Sequence, residues 1–419
     1  MKDVYRFPDN AELDGLRLDV VASGRRLTVR PRGRGALRFL PYLTAYSAWL
    51  TAAGPIEPAT RHDPALYTLY FPPIPSPAHA RQMACDLLTL VLERPAPLAL
   101  TLGVTDACQC TCAHCSAVAS RNERPPLERD ELLRVVAEAL HLGVDVVTFT
   151  GGEPLLRDDL EELVSAVPPE LAISLVFTNG LLLDRERARM LAAAGLYGIQ
   201  LSLDSPDPAE HDLLRGKDGC YAAVERAARA AIAAGLKVGV STYVTRETAR
   251  TDHLARIAAL AARWGAHEVT AFDAIATGRL LDRPDVHMMP ADHRAVVAQG
   301  RRLSRRHRNR PRVVTQSWTN SRRGFGRLIG CLAATLQIHV TSHGDLQPCD
   351  FTPLSFGNVG NRPLADIWRS LATHPEWSHR RLTCRMQDPR FRRRFIDPIP
   401  ADASLPYPVA LLDERAAPD

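Results

Sequence analysis

Four of the nine cysteines in this chain, Cys108, Cys110, Cys112 and Cys115, fall within eight residues. Thiols grouped this closely imply either a disulfide framework or a metal centre, and an odd total without secretory context argues against disulfides. Cys108, Cys112 and Cys115 have the spacing C-x3-C-x2-C, which lets three thiolates converge on a four-iron cluster while one iron keeps no protein ligand. That iron is free to bind a cofactor or substrate. Cys110 does not fit the spacing and is read as a bystander. A zinc knuckle is the alternative, but zinc wants four protein ligands, usually as two separated pairs, and no second pair at zinc spacing lies nearby. Cys331, Cys349 and Cys384 form a second group in the last quarter of the chain, and Cys85 and Cys220 stand alone.

The surrounding elements indicate how the first group is held. From Leu98 the chain repeats a strand-then-helix unit: strands are expected at 98–105, 144–150, 171–180, 198–204, 237–244 and 267–275. The amphipathic segments 128–142, 158–166, 184–194, 221–234 and 252–264 lie between them. Near-continuous apolar strands separated by helices specify an α/β fold with a parallel sheet covered by helices, here an open or partial (β/α)6 barrel. The cysteines follow the first strand directly, at the C-terminal end, where βα barrels build their active sites. Residues 1–95 read as a separate accessory domain or cap, 96–310 as the barrel, and 311–419 as a second metal-binding module with its tail.

At this point the chain resembles the radical S-adenosylmethionine (SAM) superfamily, whose C-x3-C-x2-C motif follows the first strand of a partial barrel. The resemblance runs from about residue 96 to 390. It implies a [4Fe–4S] cluster on Cys108, Cys112 and Cys115, with SAM on its open iron. It also implies reductive cleavage of SAM to a radical that abstracts a substrate hydrogen, and an electron donor such as flavodoxin or ferredoxin. His114 stands where an aromatic residue contacts adenine in that family. Thr150 to Pro154, TGGEP, looks like the motif that binds the amino group of SAM: Gly151 and Gly152 would admit the ligand close to the backbone, Glu153 or the backbone carbonyls of the turn would accept from the ammonium group, and Pro154 ends the motif. On this reading, replacing Gly152 weakens SAM binding and leaves the cluster in place. Strand-end polar residues, Thr178 and Asn179, Ser202 and Asp204, Thr242 beside Val244, are implied as further SAM contacts, with Ser202 and Asp204 foremost. Arg215 and Gly216 match a segment of the same family that places SAM or the following helix.

Cys331 and Cys349 flank Gly344 ahead of GNVGNRPLADIW (Gly357 to Trp368), which resembles the SPASM or shorter Twitch auxiliary-cluster domain. Only Cys384 follows, so the resemblance implies one auxiliary [4Fe–4S] cluster, either completed by a non-cysteine residue or left with one iron open to the substrate; a small zinc site on these cysteines and a histidine is the alternative. The run QPCDF around Asp350 is shared with sulfatase maturases, in which this aspartate is the base for the substrate. A turn aspartate capping local backbone amides is the competing reading.

Composition sets the frame for these readings. With 46% hydrophobic and 24% charged residues the chain is an ordinary globular protein. A net charge of +5 permits an anionic partner without singling out nucleic acid, and none is expected. The basic run Arg301 to Arg312, and Arg392 to Arg394, read as solvated helix face and linker. Phe39 to Gly54 is too short to span a bilayer and reads as a packed helix, with contact to a hydrophobic substrate or lipid as the lesser option. The N-terminus lacks the apolar core of a signal peptide, so a cytoplasmic address is expected. The function expected is a radical SAM enzyme that modifies a peptide or protein side chain. Oxidation, epimerisation or rearrangement of a small natural-product or cofactor precursor is the alternative. A non-catalytic metal- or nucleic-acid-binding protein is a third reading, for which the TGGEP turn has no use.

Overall fold

The computed structural model describes residues 1–8, 10–120, 124–305, 311–317 and 330–416. Strands β1 (Lys2–Arg6), β2 (Leu16–Ser23) and β3 (Arg26–Gly33) form an antiparallel sheet in that order. Period-two burial of Leu16, Leu18, Val20 and Ala22 gives it one apolar face. Helix α1 (Ala36–Ala53) covers this sheet with Phe39, Tyr42, Leu43, Tyr46 and Leu50, a stripe at helical spacing. Helix α2 (Pro77–Asp86) starts at Ser76, whose side chain accepts from the His79 amide at 3.1 Å. His79 lies between the Tyr5 and Tyr46 hydroxyls, at 2.8 and 2.9 Å. Burial lowers its pKa to about 3, so a neutral imidazole joins β1, α1 and α2.

The barrel follows. Its elements are β4 (Ala99–Thr105), α3 (Arg129–His141), β5 (Val146–Gly151), α4 (Leu160–Ser165), β6 (Ile173–Thr178), α5 (Arg185–Ala193) and β7 (Gly198–Ser202). They continue through α6 (Pro208–Arg215), α7 (Cys220–Ala233), β8 (Lys237–Val244), α8 (His253–Trp264), β9 (Glu268–Asp273), α9 (Pro290–Arg305) and β10 (Arg312–Thr315). Residues 146–149 and 173–176 are buried without interruption, as strands covered on both faces must be. Thereafter come β11 (Gln337–Val340), β12 (Leu346–Gln347), β13 (Leu354–Ser355), α10 (Leu364–Thr373), α11 (Pro389–Phe395), β14 (Tyr407–Pro408) and α12 (Ala410–Ala416).

Among the described residues the main sheet has nine strands in the order β10-β9-β8-β7-β6-β5-β4-β11-β12, and all neighbours pair in parallel except β11 with β12. The six expected strands are β4 to β9. Pairing extends beyond them in both directions, so the division at residue 310 runs through the sheet. β11 lies directly against β4, with Gln337 opposite Ala99 and Val340 opposite Leu102. The C-terminal cysteine segment is thereby fixed beside the strand that leads into Cys108. The N-terminal region also shares the barrel's core, because Leu98, Val146, Ile173, Leu175 and Leu336, at or near the starts of barrel strands, pack with the residues of β1 to β3 and α1. It forms the floor under the strands.

Two basic residues depart from the expectation of solvated runs. Arg301 and Arg302 are exposed on α9, and residues 306–310 lie outside the described residues. Arg312, however, points into the floor, donating to the carbonyls of Gly54 and Tyr67. Burial lowers its pKa against the pull of Glu268. Arg392 is 7% exposed and donates to Ala276 O at 2.9 Å and Leu281 O at 2.7 Å, clamping α11 to the loop after β9, whereas Arg393 and Arg394 are exposed. Removing the guanidinium leaves the Gly54 and Tyr67 carbonyls without their donor in the floor, so Arg312→Ala should destabilise the protein by about 1–3 kcal/mol. A urea-unfolding midpoint equal to wild type would contradict this placement.

Candidate active site

The loop from β4 carries Cys108, Cys110, Cys112 and Cys115 and is held from three sides. On the first, β5 runs into Gly151 and Gly152: Gly152 N donates to Thr105 O at 2.7 Å and Glu153 N to Ala107 O at 2.8 Å. A Cβ on Gly151 would lie 2.1 Å from Thr105 O, and one on Gly152 would lie 2.1 Å from Ala107 O. The glycines are therefore required by the cysteine loop itself. This corrects the expectation that they serve only ligand approach. On the second side the end of α6 supplies carbonyls, with Thr111 N donating to Arg215 O at 3.0 Å and Ala113 N to Leu214 O at 2.9 Å. Gly216 lies so close that its Cβ would fall 2.2 Å from Thr111 Oγ1. On the third, the loop after β9 brings Arg279 N to Cys115 O at 3.1 Å, and Gly278 there leaves no room for a Cβ, 2.0 Å from the same oxygen.

Glu153 is buried and ties this turn to the next strand. Its carboxylate accepts from Thr178 Oγ1 (2.7 Å), Asn179 N (2.8 Å) and Leu155 N (3.1 Å). Burial raises its pKa to about 7 against those three donors. Pro154 opens the short 3-10 turn that follows, where its missing N–H costs nothing. Asn179 reaches back to Gln109 Oε1 at 3.2 Å.

Opposite this turn, Asp204 pairs with Arg215 (2.7 Å) and His114 (3.2 Å). Burial opposes its ionisation, but Arg215 and then His114 outweigh that and hold the carboxyl below its usual range. Arg215 also reaches Cys112 Sγ at 3.7 Å. A guanidinium beside a thiol favours the thiolate, the form that binds metal. His114 stacks on Tyr243, with ring centroids 4.6 Å apart and 12° between planes. Thr242 borders the cavity with its hydroxyl turned to His253 Nε2 on α8, 3.5 Å away. Ser241 and Tyr243 hold the alternate positions of β8. Tyr243, Gln109, Gly278 and Arg279 were not anticipated; the period-two alternation of β8 would have singled out Tyr243 once the lumen face was known.

Cys331, Cys349 and Cys384 lie across the cavity. The Cys331 amide donates to Arg381 O at 2.7 Å, and Cys349 Sγ is 3.3 Å from Thr352 Oγ1. Burial first, and then Cys331, raise the Cys349 thiol to about 12; burial and the other two thiols raise Cys384 as well. Buried thiols that oppose one another's ionisation are suited to a cationic metal group, which would draw the protons off. Asp350, next to Cys349, is held by side chains of β11: Gln337 Nε2 donates to it, and His339 Nδ1 is 3.4 Å away and 3.1 Å from Thr101 O. Both neighbours of His339 Nδ1 are acceptors, so the proton is assigned to that nitrogen.

A single cavity of about 980 Å³ joins these groups. It is lined by both cysteine triads, Gly151, Gly152, Glu153, Asn179, Ser202, Asp204, Arg215, Thr242, Tyr243 and Asp350, and by Trp49, Tyr70 and Phe71 of the floor. Its size accommodates SAM with a substrate.

The radical SAM superfamily model matches residues 102–261, and a SPASM model, an iron–sulfur cluster-binding domain, matches 331–389. The "PqqA peptide cyclase" of Streptomyces rochei is 31% identical over 281 residues, covering 65% of this chain and 76% of that protein. The chain belongs to the radical SAM superfamily. It is a radical SAM enzyme that binds a [4Fe–4S] cluster and SAM, with an iron–sulfur SPASM domain after the barrel. The "AdoMet-dependent heme synthase" of Nitratidesulfovibrio vulgaris is 28% identical over 284 residues, covering 64% of this chain and 77% of that one. The fold is also that of Streptococcus suis SuiB bound to its precursor peptide SuiA, with a TM-score of 0.55 at 19% identity over 69% of this chain and 68% of SuiB. The iron–sulfur assignment of the SPASM domain displaces the zinc alternative.

Contacts at Gly152 alter the outcome expected of its replacement. Gly152→Val would push the side chain into Ala107 O and Asp106 O, at 2.1 and 2.7 Å already for the Cβ. The cysteine loop should be displaced, and reconstituted protein should lose about four irons, one cluster's worth. Full iron content with weakened SAM affinity alone would return Gly152 to a ligand-only role.

Proposed function

We propose that this enzyme modifies a side chain of a peptide or protein substrate held in the cavity between the two cysteine triads. The observation that carries this reading is that Cys108, Cys112 and Cys115, the triad Cys331, Cys349 and Cys384, and the carboxylate of Asp350 all open into one volume. A relative named as a peptide cyclase supports the substrate class. When bound, the barrel cluster supplies an electron to SAM, and the radical that results takes a hydrogen atom from the substrate. Arg215, Asp204 and His114 form the fixed polar wall behind SAM, with His114 braced by Tyr243. The glycine turn carries backbone groups for the SAM ammonium while Glu153 holds that turn in shape.

On the opposite wall, Asp350 would accept a proton from the substrate, beside Cys331, Cys349 and Cys384, which would hold an iron–sulfur cluster able to serve as electron acceptor. Gln337 and His339 keep its carboxylate aimed. Trp49, Tyr70 and Phe71 extend the wall with aromatic surface suited to a peptide's apolar side chains. Residues 1–95 act as an accessory domain on this reading, and the barrel that begins at 96 runs through β10 to residue 315 before the auxiliary module. No helix among the described residues is long and apolar enough to cross a membrane. We place the enzyme in the cytoplasm, with flavodoxin or ferredoxin as electron donor. A small-molecule substrate is the second reading, favoured by the heme synthase relative and by the single cysteine after Cys349 in the module.

Replacing Cys331, Cys349 and Cys384 together by Ala should leave SAM cleavage to 5′-deoxyadenosine in reduced enzyme and abolish product, because the first step needs only the barrel site. Loss of both would refute this separation. Asp350→Asn should keep iron content and 5′-deoxyadenosine at wild-type levels and lower product at least a hundredfold, the lower end of the range for general base catalysis of about 10²–10⁴. Full turnover would reduce Asp350 to a structural residue. Mass spectrometry of a precursor peptide encoded beside the gene, showing a SAM-dependent mass change, separates peptide from small-molecule chemistry.

A further inference from the structure

Cys110 is not used by the spacing argument, and Cys220 stands alone in the sequence, yet the fold brings them together. Cys220 is the first residue of α7, and its Sγ is 3.7 Å from Cys110 Sγ. Both are buried, and with Cys112 they form a small apolar cluster beneath the cysteine loop, against which Cys108, Cys115 and Leu181 pack. Of this pair, Cys110 lines the cavity and Cys220 does not.

We propose that Cys110 and Cys220 are a disulfide-forming pair that keeps the cysteine loop docked when an oxidant strips the barrel cluster. A hydroperoxide small enough to enter the cavity meets Cys110. The Cys110 thiol is oxidised to a sulfenic acid as the peroxide O–O bond breaks, releasing water when the oxidant is hydrogen peroxide. The Cys220 thiol then attacks that sulfur; the S–O bond breaks, the S–S bond forms, and the oxygen leaves as a second water. Two thiols are oxidised to one disulfide and one peroxide is reduced to two waters. Sulfur–sulfur separation must fall to about 2 Å, a shift within reach of a side-chain rotation at either residue.

The consequence is selective. Cys108, Cys112 and Cys115 sit within a few residues of Cys110, and once they lose iron they are themselves open to cross-linking. Cys110 is also in side-chain contact with Cys108 and Cys112, so a bond to Cys220 instead keeps those two ligands out of a disulfide and pins the loop to the helix it already touches. After reduction, all three ligands remain available for a new cluster. Cys110 is then a protective thiol within the cluster loop.

Holoenzyme exposed to hydrogen peroxide, alkylated and digested should give a Cys110–Cys220 cross-linked peptide in excess of Cys110 pairs with Cys108 or Cys112 and of any pair among Cys108, Cys112 and Cys115. Cys220→Ser preserves size and should assemble as much iron and make as much 5′-deoxyadenosine as wild type when fresh. After peroxide, thiol reduction and reconstitution, it should recover several-fold less cluster. Cys220 found fully alkylated after cluster loss, or equal recovery by the variant, would overturn the proposal. Loss of the cluster from fresh Cys220→Ser protein would also overturn it, by making Cys220 part of the cluster's own support.

Discussion

Two backbone hydrogen bonds, from Gly152 N to Thr105 O and from Glu153 N to Ala107 O, hold the cysteine loop against the next strand. They require the two chains to approach more closely than any side chain allows, so Gly151 and Gly152 are dictated by neighbours before any ligand is considered. The same turn presents Glu153, whose carboxylate fastens β6 through Thr178 and Asn179. Three successive strand ends are thus joined by one short motif. From the other side, the α6 terminus and the Gly278 turn close on the loop in the same way, with glycine at each point of contact.

Sheet order sets the second level. β4 lies between β5 and β11. The strand that delivers Cys108 therefore has the Gly151–Glu153 turn on one flank and, on the other, the segment that delivers Cys349 and Asp350. Parallel pairing of β11 with β4 is what turns two separate sequence clusters of thiols into facing walls of one cavity. The floor contributed by the N-terminal region, fixed by Arg312 and the shared core at Leu98 and Val146, closes the chamber from below.

Much of this was legible in the sequence, for identifiable reasons. β4 to β9 are apolar on both faces and alternate with amphipathic helices, so their pattern survives without structural context. C-x3-C-x2-C is legible because ligand spacing is a local property. Short strands after Arg312 were legible, but the pairing of β10 and β11 with the barrel sheet was not, because four-residue segments such as RVVT and QIHV carry too little pattern to specify their partners. Arg312 and Arg392 look like solvated charge because the carbonyls that bind them come from Tyr67 and Ala276, far away in the chain. Gly152 shows that a conformational requirement can be plain while its cause is hidden. A glycine that admits a ligand and a glycine that admits another strand are the same letter.

We propose that two cysteine triads hold two clusters in one chamber and that only the barrel cluster receives SAM. Mössbauer spectroscopy of the reconstituted wild-type enzyme, with and without SAM, tests it most directly. Two [4Fe–4S] clusters should account for about eight irons, and SAM should shift the signal of a single iron in one of them. Iron sufficient for one cluster, or spectra unchanged by SAM, would contradict the account.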